Sequence, residues 1–391
     1  MKKSLLALAV LAVATSATAA TVYDKDGTSL KVGGRVQAIA YNGNFAKAGR
    51  DDSTFKNSAR FNIAGNTKVN DAVSVFAFSE WEASNGDDTD NFVTRDQYVG
   101  ADFGVFGKVQ AGKSLNSIYD VQSATDVFEE TGALMQGETN GDRRSGTFRY
   151  IYDNNGLYAA ASFQIAQDQI KVEGEKVDVE NGFGLGLGYT FDNVVFGPLS
   201  IKAAYDYVKC QDDKDFTQIN APKVDYDPVT KTLERTTSGR SFDSFKNTAV
   251  SVAWGSDTGL YLAGLFNVIK ATYDDSFEFF FEDGKWVREH VANSRDIVKG
   301  FELVACYGFD NGLSFTIGYD VKDAKEKATG YSSESSILRR VPVIANYQIA
   351  PTFKVWAEAE FDAGSSQNAK EVFEDRNSKE TKLAAGARYV F

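Results

Sequence analysis

The residues of this 391-residue sequence that carry chemistry are charged rather than nucleophilic or metal-binding. His290 is the one histidine and falls in a long polar connection, so a Ser-His-Asp triad would depend on a loop residue. The acid groups Asp87-Asp88-Asp90 and Asp212-Asp213-Asp215 lack the regular ligand spacing of a calcium loop and read as solvated connections. Two cysteines, Cys210 and Cys306, are too few for a disulfide framework in a chain of this length. No enzyme activity, metal or cofactor is expected. Fixed charge remains. A connection from Lys113 to Arg144 ends in the basic pair Arg143-Arg144 and carries Asp126, Glu129 and Glu130 inside a mixed apolar stretch. On extended chain, Arg35 shares a face with Lys31 and Gln37, while Arg60 shares one with Asn62, opposite Phe61 and Ile63. Opposed rows of positive and negative charge across a narrow path set up a transverse field that sorts solutes by polarity and charge.

Strands must position such rows. Leu383, Ala385, Ala387, Tyr389 and Phe391 fall on one face of a terminal segment, with Lys382, Gly386 and Arg388 on the other. The same period of two places Phe353, Val355, Ala357, Ala359 and Phe361 against Lys354, Glu358 and Glu360. It places Leu313, Phe315, Ile317, Tyr319 and Val321 against Ser314, Thr316 and Asp320. One face suits lipid and the other water. An arginine facing lipid at mid-bilayer costs about 2–4 kcal/mol, so Arg35 and Arg60 point to the water side.

Short turn signals recur at Asn70-Asp71, Asp102 to Gly107, Asp153 to Gly156, Asp192 to Pro198, Ser256 to Gly259, Asp310 to Gly312 and Ala350-Pro351. Long polar connections lie between them, near 42–57, 83–92, 114–143, 167–181, 210–245, 271–296, 324–336 and 363–380. Seven turns interleaved with eight loops predict sixteen strands, an all-β, antiparallel transmembrane barrel wide enough for an aqueous lumen. The aromatic run Phe277 to Phe281 beside Trp286 reads as loop packing. Cys210 is expected at the outer end of strand nine and Cys306 near the periplasmic end of strand twelve, too far apart to bridge.

The ends and the composition agree. Lys2 and Lys3, the apolar run Leu5 to Val13 and Ala17-Thr18-Ala19 have the layout of a signal peptide, which divides the chain into a leader 1–19 and a barrel 20–391. The apolar run is far short of the roughly 20 residues a membrane-crossing helix needs. Without Lys2 and Lys3, 40 basic residues face 54 acidic ones, a net charge of −14, so nucleic acid is not an expected partner. Mean hydropathy is −0.31. That value would fit a soluble protein, yet alternating strands dilute the apolar signal in just this way. The 34 Gly, 18 Tyr and 29 Phe against 5 Pro suit a long meander with aromatic girdles.

Several segments resemble the enterobacterial general porins. The residues are Ala20-Thr21-Val22-Tyr23-Asp24-Lys25-Asp26-Gly27, Gly34-Arg35, Ala59-Arg60-Phe61, Thr94-Arg95, Tyr98 to Gly104, and the terminal Tyr389-Val390-Phe391. Ala111-Gly112-Lys113-Ser114, Ile118-Tyr119-Asp120 and Thr125-Asp126-Val127 resemble the start of that family's third loop, which folds into the barrel. The resemblance implies a homotrimeric outer-membrane channel for passive diffusion of small hydrophilic solutes, in contact with lipid and lipopolysaccharide. It implies that Arg35, Arg60 and Arg95 match the wall basics and that Asp126 and Glu130 match the loop acids. Arg143 or Arg144 would supply a fourth wall charge. Tyr389 and Phe391 would close the barrel, Phe391 as an assembly signal. Where the family has Pro-Glu-Phe-Gly-Gly, this chain has Glu129-Glu130-Thr131-Gly132-Ala133, so a different loop tip is expected. A substrate-specific channel would need a line of lumen aromatics, of which only isolated candidates such as Trp356 occur. A surface-binding barrel would show a lumen closed to conductance. A modest cation preference is expected from the acidic surplus.

Overall fold

The computed structural model describes residues 19–45, 53–86, 89–136, 143–211, 225–227, 232–234, 241–256, 259–282, 285–369 and 379–391. Sixteen of its strands form one antiparallel sheet. The first four are β1 (Thr28–Tyr41), β2 (Thr54–Lys68), β3 (Ser74–Gly86) and β4 (Thr89–Asp102). Next come β5 (Lys108–Ser114), β6 (Arg144–Asn154), β7 (Leu157–Gln164) and β8 (Glu175–Val194). They are followed by β9 (Gly197–Cys210), β10 (Phe242–Gly255), β11 (Gly259–Tyr273) and β12 (Arg295–Gly308). The last are β13 (Leu313–Ala328), β14 (Ser336–Ala350), β15 (Phe353–Asp362) and β16 (Lys382–Val390). Each pairs with its neighbour, and β16 returns to β1 from Arg35↔Val390 to Tyr41↔Ala384, which closes the barrel.

The seam uses both chain ends. β16 covers only the later part of β1, and the short strand Ala20–Lys25 pairs with Thr28 to Val32 on the same edge. Phe391 fixes the junction, because Gly34 and Phe391 exchange backbone hydrogen bonds of 2.9 and 3.0 Å. Each of the sixteen barrel strands is paired on both sides, which removes the aggregation hazard of an unpaired terminal strand.

The period of two sets the two faces. On β16, Leu383 and Tyr389 are 49% and 48% exposed, whereas Ala384 and Arg388 between them are buried. On β13, Phe315 and Ile317 face out while Thr316 and Asp320 are buried inside. Lipid removes the usual reason to hide an apolar side chain, so the outer band is Phe, Leu, Val and Tyr and the inner face is polar.

The seven short connections between strands fall where the turn signals predict them, at 69–73, 103–107, 155–156, 195–196, 256–258, 309–312 and 351–352. Asn70 Oδ1 accepts from the N–H groups of Ala72 and Val73, and Asn155-Gly156 both have positive φ, the conformation of a tight hairpin turn. Three long connections differ from expectation. β3 runs to Gly86 and β4 starts at Thr89, so the described residues of 83–92 are paired strand. The connection 167–181 is a paired hairpin, Gln167–Val172 against the start of β8. The connection 271–296 contains a second hairpin, Ser276–Glu282 with Lys285–Val291, which includes Phe277 to Phe281 and Trp286. Backbone pairing continues past the membrane wherever β-rich sequence does, and polarity alone did not mark those ends. Asp87, Asp88, Asp212, Asp213 and Asp215 lie outside the described residues. Cys210 ends β9 and Cys306 lies near the opposite end of β12, and both are free thiols.

Candidate constriction site

The connection between β5 and β6 turns into the barrel. Asn116 Oδ1 accepts from the N–H groups of Ile118 and Tyr119 and starts a one-turn helix, α1 (Tyr119–Gln122). Ile118, Val121 and Met135 are fully buried against Ala204 of β9, Ala249 of β10 and Leu265 of β11. Two wall positions without side chains receive this loop. A Cβ on Gly300 would lie 2.2 Å from Met135 Sδ, and one on Gly318 would lie 3.0 Å from Phe128.

Carboxylates on the far wall hold the loop. Glu302 of β12 accepts from Met135 N at 2.7 Å and from the Thr125 hydroxyl. Glu358 of β15 accepts from the N–H groups of Glu129, Glu130 and Thr131 at 3.2, 3.1 and 2.7 Å, and from the Thr131 hydroxyl. Successive N–H groups converging on an anion form a nest, which fixes the loop tip. Beyond it, Gly132 and Ala133 both take positive φ, 69° and 53°, so the tip turns sharply without the glycine pair of the resembling family.

The predicted acids do different things. Glu129 ion-pairs with Lys354 of β15 and with Arg388 of β16 at 2.5 Å. Burial would raise its carboxyl, but these two cations hold it down, to about 2. Glu130 accepts from Tyr41 of β1 at 2.7 Å. Asp126 accepts from Tyr119 at 2.8 Å; burial pushes its carboxyl up, while the charge of Arg143 acts the other way.

The predicted basics form a ladder on the wall. Arg35 and Arg60 are cross-strand partners on β1 and β2. Arg60 pairs with Glu82 at 3.2 Å, and Arg95 with Glu80 and Glu82 at 2.8 and 2.7 Å. Arg143 pairs with Asp96 at 2.8 Å and so continues the row, whereas Arg144 is buried against Asp206 of β9. Arg35 makes no ion pair or hydrogen bond among the described residues; it lies within electrostatic reach of Arg60, Arg388, Glu129 and Glu82.

Sequence reasoning missed Glu80, Glu82, Asp96, Lys354, Arg388, Glu302 and Glu358 as parts of this arrangement. Period-two alternation had already put Lys354, Glu358 and Arg388 on the polar face. Which of them meet each other depends on strand register and on where the loop lands, and neither is local in sequence. Trp356 is 4% exposed, packed over Gly386, with Lys354 and Arg388 against its ring, so it is no exposed aromatic on a solute path. His290 lies 3.4 Å from Asp275 on an outer connection, away from the site.

Residues 6–274 match the family described as Gram-negative porin. The outer membrane porin protein OmpD of Citrobacter koseri is 28% identical over the full length of both chains, and the outer membrane porin PhoE of Escherichia coli is 27% identical over the full length of both. Among solved structures, Salmonella typhi OmpF in complex with daunomycin superimposes with a TM-score of 0.67 at 19% identity, covering 95% of this chain and all of that one. An anion-selective porin from Comamonas acidovorans superimposes at 0.60 with 15% identity, covering 93% of this chain and all of that one. A closed sixteen-stranded barrel, an inward loop facing a basic wall, and this kinship over the length of the chain lead to one conclusion: the chain belongs to the Gram-negative porin family and is an outer-membrane channel, not an enzyme.

Proposed function

We propose that the third loop and the β1–β4 wall form the selective constriction of this porin, a water-filled path for small hydrophilic solutes and ions. Arg35, Arg60, Arg95 and Arg143 act as the positive row. Asp126 and Glu130 act as the negative side, while Glu129 is engaged in holding the loop. The observation that carries this reading is that the charged loop tip reaches the wall, where Glu129 ion-pairs with Lys354 and Arg388 and Glu130 accepts from Tyr41 on the strand that carries Arg35. Counting Lys354 and Arg388 with the basics and Glu80, Glu82, Asp96 and Glu129 with the acids, six positive groups face six negative ones. A site so near balance leaves the sign of selection to the rest of the chain, whose acidic surplus favours cations modestly. Reversal potentials in a salt gradient test this. D126N/E130Q should move the potential toward anions, and R35A/R60A toward cations with higher conductance. Both shifts should shrink at 1 M salt, where screening shortens to about 3 Å. If neither folded double mutant moves the potential at low salt, these residues are not the filter.

The same reading includes a homotrimer, removal of residues 1–19 and contact of the acidic outer loops with lipopolysaccharide through divalent cations. One Vibrio cholerae OmpT structure of this fold is described as a trimer form. The strand that starts at Ala20 supports the cleavage boundary. Deleting Phe391 removes both bonds to Gly34 and is expected to abolish the heat-stable oligomer on unheated gels. Wild-type levels of that band would refute the assembly role.

A further inference from the structure

A second segment folds into this barrel. The hairpin Gln167–Val172 with Glu175 to Val179 at the start of β8 turns at Glu173-Gly174, both with positive φ. It does not stand away from the mouth. Val172, Val177 and Val179 are buried against Val208 and Cys210 of β9 and Phe245 of β10. Those three wall residues share the inward face with Asp206, Ala204 and Asn247, so they point into the lumen. Apolar side chains at the water-facing positions of a pore are out of pattern, and the hairpin is what covers them. Its other face, with Lys171 and Lys176, is exposed.

The tip reaches the third loop through side-chain amides. Asn247 Nδ2 donates to Glu173 Oε1 at 2.7 Å, Asn267 Nδ2 donates to Asn247 Oδ1 at 2.6 Å, and Gln122 Nε2 donates to Asn267 Oδ1 at 2.7 Å. Gln122 also donates to Met135 O at 3.0 Å. A carboxylate only accepts, so Glu173 orients every amide behind it in one direction. Asn247, Asn267 and Gln122 are 1%, 0% and 0% exposed. This chain of hydrogen bonds between buried amides ties the two inward segments together.

We infer that the hairpin Gln167–Val179 is a second constriction element, which narrows the outer half of the lumen and braces the third loop. It sets the size limit for solutes before they meet the charged rows, and so adds to the filter proposed above. Two aspartates in its apolar face should expel it into water while leaving the barrel strands intact. In a C306S background, V172D/V177D should raise single-channel conductance by roughly half, since the outer section of the path widens. A bulky membrane-impermeant maleimide added to whole cells should then label Cys210, which wild type protects. K171Q/K176Q, on the exposed face, should leave Cys210 protected. E173A, which cuts the amide chain without touching the apolar contacts, should give noisier open-channel current with Cys210 still protected. The inference is overturned if Cys210 labels equally fast in wild type, or if V172D/V177D barrels that still shift on unheated gels conduct as wild type does. The labelling does not depend on conduction or selectivity, so failure of the filter reading and failure of this one are separable.

Discussion

Two parts of the inner wall obey the same period of two and do opposite things with it. On β1–β4 the inward row includes charged residues that pair with one another across strands, as in Arg60 with Glu82 and Arg95 with Glu80. On β9–β12 the inward residues include Ala204, Val208, Phe245, Ala249, Leu265, Asn267 and Glu302, and these contact chain that has folded inside. The first wall is held by charge pairs within itself; the second is held by the protein docked on it. Burying a Val, Leu or Phe side chain contributes about 1.5–3 kcal/mol, which water in an open lumen would not return. Inward-facing and water-facing are therefore different properties, and apolar residues at inward positions mark where a loop docks.

The largest effect that separates the walls is expected at Glu302. E302A leaves Met135 N without its acceptor in a fully buried site, a cost of about 1–3 kcal/mol, and leaves the Thr125 hydroxyl only the longer bond to Gln122 O at 3.3 Å. The third loop should loosen, with higher conductance and frequent current fluctuations. On the other wall, E80Q leaves Arg95 paired with Glu82, so quiet channels with a small shift toward anions are expected. If E80Q channels fluctuate as much as E302A channels, the distinction between a docking wall and a self-paired wall fails.

A smaller effect is expected where the loop tip meets β15 and β16. E129Q removes the charge that engages Lys354 and Arg388, and the two cations then join Arg35 on the path. Removing one partner of a fully buried pair costs roughly 3–5 kcal/mol, and this partly wetted one should cost less. The reversal potential should move toward anions more than in D126N. E129Q/R388Q should bring it back, because the added loss restores the balance. A single mutant that leaves the potential unmoved would mean that Glu129 lies off the ion path altogether.

The strand count, the turns and the faces were readable because each is local: period two within a strand, Asn and Gly at a turn. The resemblance carried the third loop inward and put acids opposite arginines. Glu129 is the instructive case. Its type and place suggested a filter acid, and only the register that brings Lys354 and Arg388 beneath the tip gives it a holding role. Arg143 and Arg144 are adjacent in sequence, and they part because one precedes β6 beside Asp96 while the other begins β6 opposite Asp206. The inward hairpin was illegible for the same reason. Lys171 to Val179 alternates like any strand, and its destination is written in Val208 and Phe245, far along the chain.

The smallest expected effect uses pH to tell two acids of one loop apart. Burial raises the Asp126 carboxyl, so on acidification it takes up a proton before a solvated Asp near 3.9 would. Glu129 is held down to about 2 by Lys354 and Arg388 against the effect of burial, so it keeps its charge through that range. The signs for stability follow. A raised acid makes the docked loop more stable as pH falls through its folded value, whereas the contribution of Glu129 is present above its unfolded value and fades only as pH nears 2. Between neutral pH and the ordinary Asp range, the reversal potential should therefore drift toward anions while open-channel noise stays level. D126N should abolish the drift and E129Q should preserve it. A drift that survives in D126N would move the titrating group elsewhere in the lumen, and one that vanishes in E129Q would mean that the two ends of the loop titrate as one unit.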